Sequence, residues 1–128
     1  MSGTIDNKFE TIDKGQYCGH DSRRHYAIKN NADWQNLWAK VHCTHIPQPK
    51  IPFIDFKTDM VLGVFLGAKS SGDYGIEISR MHERDNCLEV YVKESTPAPD
   101  MMQTMAITQP YHLVKTALTD KKIHKIIV

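Results

Sequence analysis

Met60-Val61-Leu62-Gly63-Val64-Phe65-Leu66 is the stretch on which the fold turns. It carries no polar side chain, so neither of its faces is suited to water. It is also far shorter than the roughly 18 residues of a membrane helix. A run of this length and composition reads as a central strand covered on both sides. The residues that follow change character. Gly67 to Asp73 (GAKSSGD) is a turn-rich connection in which Gly72 is expected to take a positive φ at a tight hairpin. Tyr74, Ile76 and Ile78 then alternate with Gly75, Glu77 and Ser79. After a turn at Asp85-Asn86, Leu88, Val90 and Val92 alternate with Glu89, Tyr91 and Lys93, a strand with one buried and one wet face. Pro110 to Leu118 and Ile123 to Val128 supply two more strands. Glu94 to Met105, with Pro97 and Pro99, reads as a long loop of the kind that often carries function.

Upstream, Asn7 to Asp13 and His25 to Lys29 are short candidate strands on either side of a loop, Lys14 to Arg24. Between them and the central strand the period changes. Trp34, Leu37, Trp38 and Val41 fall at i, i+3, i+4 and i+7, one face of a helix over Ala32 to His42. Asn30 or Asn31 suits the cap, and Pro47, Pro49 and Pro52 rule out a continuation. The fold class expected is α+β, mainly antiparallel β. It has about seven strands in a sandwich-like or open-barrel sheet, with one amphipathic helix. Short turns between strands favour antiparallel pairing, since parallel neighbours need a longer crossover.

The chain has 128 residues, 16 Lys+Arg against 15 Asp+Glu and a formal net charge of +1. That length suits a single domain over residues 1–128. The near-neutral charge gives no bulk drive toward nucleic acid, and the apolar runs are too short for a membrane span. Cys18, Cys43 and Cys87 are odd in number and widely spaced, which argues for reduced thiols rather than a disulfide scaffold. No export leader opens the sequence, so the expected compartment is cytoplasmic, or periplasmic or cell-surface if a leader has been removed.

The chemical motifs are weak. His42-Cys43-Thr44-His45, with Cys18 and His20 before it and His82 and Cys87 after it, supplies zinc-type ligands, but no C-x-x-C pair spaces them as a site. No cysteine begins an expected helix, where its pKa would fall. No serine lies in a G-x-S-x-G elbow. The glycines of Gly67 to Gly75 lack the Lys-Ser/Thr and following helix of a phosphate loop. No catalytic residue, metal site or cofactor is therefore expected. What remains is a recognition surface. Tyr74, Tyr111, Met101 and Met102 lie in loops or strand entries, where aromatic and adaptable side chains suit contact with another protein.

The central run, then Ser71-Gly72-Asp73-Tyr74-Gly75-Ile76-Glu77-Ile78, resembles the PrcB C-terminal-type domain of protease-complex subunit PrcB family proteins. Leu88 to Val92, Thr96-Pro97 and Thr108-Gln109-Pro110-Tyr111-His112-Leu113-Val114 look like that family's next strand, Pro loop and T-x-P-Y-x-L-V strand. The similarity covers about 60–128, preceded by the strand and helix of 8–43, where Trp34, Leu37 and Trp38 look like a W-x-x-L-W helix. The resemblance implies a non-catalytic, protein-binding domain, an accessory or stabilising subunit of a protease complex. Its partner would be a protease or another subunit. The turn at Ser70 to Tyr74 is also faintly similar to chagasin-type cysteine-protease inhibitors, which implies the alternative of a protease inhibitor presenting residues 70–74. A Cys/His metal-binding protein built on Cys43 and His45 is a weaker alternative. The surface expected to meet the partner is Ser71, Gly72, Asp73, Tyr74, Pro97, Pro110 and Tyr111, gathered at one end of the sheet.

Overall fold

The structure, a computed structural model, describes residues 5–97 and 105–128. Met101, Met102 and most of the expected Pro loop lie outside the described residues. The elements in order are β1 (Ile5–Asn7), β2 (Phe9–Gly15), β3 (Arg24–Ile28), α1 (Asn31–Val41) and β4 (Asp59–Phe65). They are followed by β5 (Lys69–Ser71), β6 (Gly75–Glu83), β7 (Cys87–Ser95), β8 (Met105–Thr108), β9 (Tyr111–Ala117) and β10 (Lys122–Ile127).

β4 explains the architecture. Alternate residues of a strand point to opposite faces. Met60, Leu62, Val64 and Leu66 enter a core with Ile76, Ile78, Met81, Leu88, Val90, Val92 and Val114. Val61 and Phe65 enter a second core with Leu113, Tyr111 and the helix residues Trp34, Leu37, Trp38 and Val41. Both faces of β4 are covered, as its unbroken apolar run requires. The result is three layers. One sheet, ordered β1-β6-β7-β10, packs on one face of a second, ordered β2-β9-β4-β3, and α1 covers the other face. A small β5-β8 pair stands beside them, and neither four-stranded sheet closes into a barrel.

The helix forms as its pattern requires. The Asn30 side chain accepts the Asp33 N–H at 2.8 Å and donates back to the Asp33 carboxylate at 2.9 Å. Cap and first-turn acid together satisfy the start of the helix. Each fully buried apolar side chain on the inner face is worth about 1.5–3 kcal/mol. Beyond the helix the proline-rich chain runs back along it. The Trp38 indole donates to the Pro49 carbonyl and the Trp34 indole to the Pro52 carbonyl, each at 3.0 Å.

The fold is α+β and mainly antiparallel with one helix, as expected, and three details differ. The described residues hold ten strands rather than seven, because β1, β5 and β8 are short and polar or mixed in composition. β10 pairs with β7 in parallel, from Lys122↔Cys87 to Ile127↔Val92. The intervening β8 and β9 act as the crossover that parallel neighbours need. The positive φ falls at Gly67 (+88°), not Gly72. A Cβ at Gly67 would also crowd the backbone of Asp21 to Arg23, which runs close beneath it.

Candidate functional site

The loops expected to gather do so, and Gln16 is the residue that ties them. β2 ends at Gly15, and the chain passes directly under the turn that precedes β6. There the Gln16 side-chain amide donates to the carbonyls of Gly72 at 2.9 Å and Tyr74 at 3.4 Å. The Gln16 carbonyl accepts the Gln109 N–H at 2.7 Å, and the Pro110 carbonyl accepts the Leu66 N–H at 3.0 Å. Residues 15–16, 72–74 and 109–110 therefore form one rim. Pro97 lies two residues beyond Ser95, which pairs with Gly75, and so belongs to the same end.

The turn is internally braced. The Ser71 hydroxyl donates to the Asp73 carboxylate at 2.9 Å and accepts the Asp73 N–H at 3.1 Å. The Ser71 carbonyl takes the Thr108 hydroxyl at 2.8 Å, which fixes β8 against β5. The Lys69 ammonium stands 5.4 Å from the centre of the Tyr74 ring. Beside the turn is a cleft of about 250 Å³ lined by Gly15, Gln16, Gly75, Lys93, Ser95 and Pro110, with Lys14 and Glu77 paired at 3.3 Å at its edge.

Not every expected residue is at the surface. Gly72, Asp73, Tyr74 and Pro97 are half-buried and Pro110 is buried. Ser71 is 1% exposed and Tyr111 3%. Tyr111 stacks over Phe65 in the core under the helix and cannot serve as a contact side chain. Its hydroxyl is satisfied by the Asp13 carboxylate at 2.9 Å. Burial, and then that carboxylate, push its phenol well up, so it stays protonated. The surface at this end is made instead by Tyr17, 55% exposed, and Ile107, 71% exposed, beside Gln16 and Thr108. Neither was singled out from sequence. An aromatic between Gly15 and Gly19 in a polar loop was the available sign for Tyr17. Ile107 had none, because its strand is formed only by pairing with β5.

The cysteine and histidine residues do not assemble as a centre. Asp13 accepts a second hydrogen bond, from His42 Nε2 at 2.8 Å, and His42 Nδ1 lies 2.6 Å from His45 Nδ1. One of the two Nδ1 atoms carries the hydrogen of this contact and the other accepts it. The chain Tyr111–Asp13–His42–His45 thus fastens the end of α1 to β2 and β9. Cys18 is buried, and desolvation raises its thiol pKa, opposite to what a nucleophile needs. Cys43 is exposed and Cys87 is buried at the start of β7. Among the described residues no three His, Cys, Asp or Glu side chains converge where a metal ion could be held. No described helix is long and apolar enough to cross a membrane.

Residues 60–117 match the family described as PrcB C-terminal. The match begins at β4 and ends at β9, so it spans the strand shared by both cores, the braced turn and the rim at Gln109-Pro110. No curated protein and no solved structure gives a significant match to the chain.

Proposed function

We propose, from the premise that residues 60–117 are of the PrcB C-terminal type, that this chain is a non-catalytic protein-binding domain. Its role is that of an accessory or stabilising subunit of a protease complex. The raised thiol pKa of buried Cys18 and the structural hydrogen bonds of His42 and His112 support this reading. The observation that carries the reading is the rim tied by Gln16, where three separate segments of chain are held in one place. A rigid end of this kind, edged by exposed Tyr17, Ile107 and half-buried Tyr74, meets a partner without first having to order itself. Contact falls on Gln16, Tyr17, Gly72 to Tyr74 and Ile107, with Tyr111 and Ser71 supporting from beneath.

Affinity capture of the tagged chain from lysate of its source, read by mass spectrometry, tests this. The comparison is wild type against a Tyr17→Ser, Tyr74→Ala double variant. Recovery of a protease or protease-complex subunit by wild type, and its loss by about tenfold or more in the variant, is the result expected of an aromatic hot spot. Equal recovery by both proteins overturns the surface. A partner unrelated to proteolysis overturns the accessory role.

A further inference from the structure

The second sheet ends at β3, which pairs with β4 on one side only. Among the described residues no strand covers its other edge. Such an edge offers a row of backbone donors and acceptors to another chain. Proteins commonly blunt these edges with a bulge, a proline or a very short strand, but β3 has regular register over all five of its pairs and contains no proline.

A groove of about 360 Å³ runs beside this edge. β3 leads into α1 through the Asn30 cap, so the helix returns antiparallel to the strand. One end of the groove is lined by Ile28 and Asp33, the other by Arg24 and Lys40, with Tyr26 and Leu37 between them. The two ends therefore differ in charge. The Arg24 guanidinium sits 4.7 Å over the Tyr26 ring, which holds it at the groove. On the opposite face of the strand, His25 lines a small opening with Lys125. Positive charge thus flanks the Arg24 end from above and below. Asp33, bonded to Asn30, marks the far end.

We propose that this groove takes an extended, acidic segment of a partner protein, which adds to β3 as an antiparallel strand with its acidic side chains at Arg24 and Lys40. Every pair in this sheet is already antiparallel, so the added strand continues the pattern. In that direction the acidic residues lie at the C-terminal end of the segment. Main-chain bonds supply affinity, and alternate side chains lying between Tyr26 and Leu37 supply selectivity, as in other cases of strand addition. The site is separate from the rim at Gln16 and does not depend on it.

The test uses an acetylated, amidated octapeptide of sequence lysine-valine-threonine-valine-threonine-valine-glutamate-glutamate, titrated into isotope-labelled protein and followed by NMR. The expected result is shifts confined to β3 and the facing side of α1. The β3 amides that do not bond to β4 should also exchange more slowly. A peptide with the charged residues moved to the opposite ends should bind about tenfold more weakly, and Lys40→Glu should weaken the first peptide by about the same factor. The Tyr17→Ser, Tyr74→Ala variant should bind it unchanged. Four outcomes overturn the proposal. They are no binding at millimolar peptide, equal binding of the two charge orders, shifts centred on Gln16 and Gly72, or protection of β3 through self-association without peptide.

Discussion

His112 Nδ1 accepts the backbone N–H of Ile78 at 2.9 Å, so a side chain of one sheet completes the main-chain hydrogen bonding of the other. The bond falls beside an irregularity, where the β6–β7 register shifts between Ile78 and Arg80, and beyond the part of β6 that β1 covers, Met81 to Glu83. With Nδ1 accepting, the neutral ring carries its hydrogen on Nε2, which donates to Thr11 Oγ1 at 2.9 Å. His112 is 3% exposed, and a proton on Nδ1 would break the bond to Ile78.

Acid should therefore loosen the sandwich. Burial, and then nearby Lys14, push His112 down to about 4 from an ordinary 6.5. A depressed folded-state value means the unfolded chain binds the proton first. Stability is complete above about pH 6.5 and falls as pH drops toward 4, by up to about 3 kcal/mol for a single group. Urea melts at intervals from pH 7 to 4 measure this slope, and His112→Asn should flatten it. An unchanged slope in that variant assigns the pH dependence to other groups.

Tyr111→Phe keeps the ring and removes one of the two donors to Asp13. A hydrogen bond to a charged acceptor suggests a loss of about 1–2 kcal/mol. Tyr111→Ala should cost about 3–5 kcal/mol, because it also empties a core position. Chemical denaturation of both variants separates the hydroxyl from the packing. A Phe variant as stable as wild type would remove the hydrogen-bond chain from the account.

Gly19 lies against the end of the helix, where its amide donates to the Val41 carbonyl at 3.0 Å. A Cβ there would clash with the Lys40 carbonyl oxygen and the Cys43 sulfur. Backbone cannot yield as a side-chain tip does, so Gly19→Ala should cost about 2 kcal/mol or more and lower Tm by several degrees. Gly75→Ala is the control. Its nearest neighbour would be Ser95 Cβ at 3.8 Å, an ordinary contact, and its Tm should barely move.

Trp38→Phe removes the indole donor that holds the Pro49 carbonyl. Stability should fall by about 1 kcal/mol, but the more direct readout is local. Lys50 is exposed in the tethered segment, and limited trypsin digestion after it should be faster in the variant. Equal cleavage rates would mean that the prolines, not the tryptophans, keep the segment in place.

Much of this fold can be read from local pattern. The apolar run at β4 identifies a strand covered twice, and the helix shows its face, its cap and its end. What local pattern lacks is pairing. Lys69–Ser71 and Met105–Thr108 carry no strand signature, and each becomes a strand only because the other is beside it. Tyr74 and Tyr111 look alike in sequence, an aromatic at the entry to a strand. Their fates differ because Tyr111 has Asp13 to receive its hydroxyl, 98 positions away. The gathering of the turn and the Pro110 entry could be foreseen from strand ends, while Gln16, which fastens them, has no local mark.

β9 lies between β2 and β4 in the second sheet, pairing Thr11 with Val114 on one side and Leu62 with Val114 on the other. During synthesis from the N-terminus, β2, β3, α1 and β4 all emerge before the strand that joins them. Until residue 117 is free of the ribosome, β4 can pair with β3 only, and the two cores lack the residues that β9 brings, Tyr111 and Leu113 to one and Val114 to the other. A chain arranged in this way completes its core after most of it has been made, and it needs protection from aggregation during that interval.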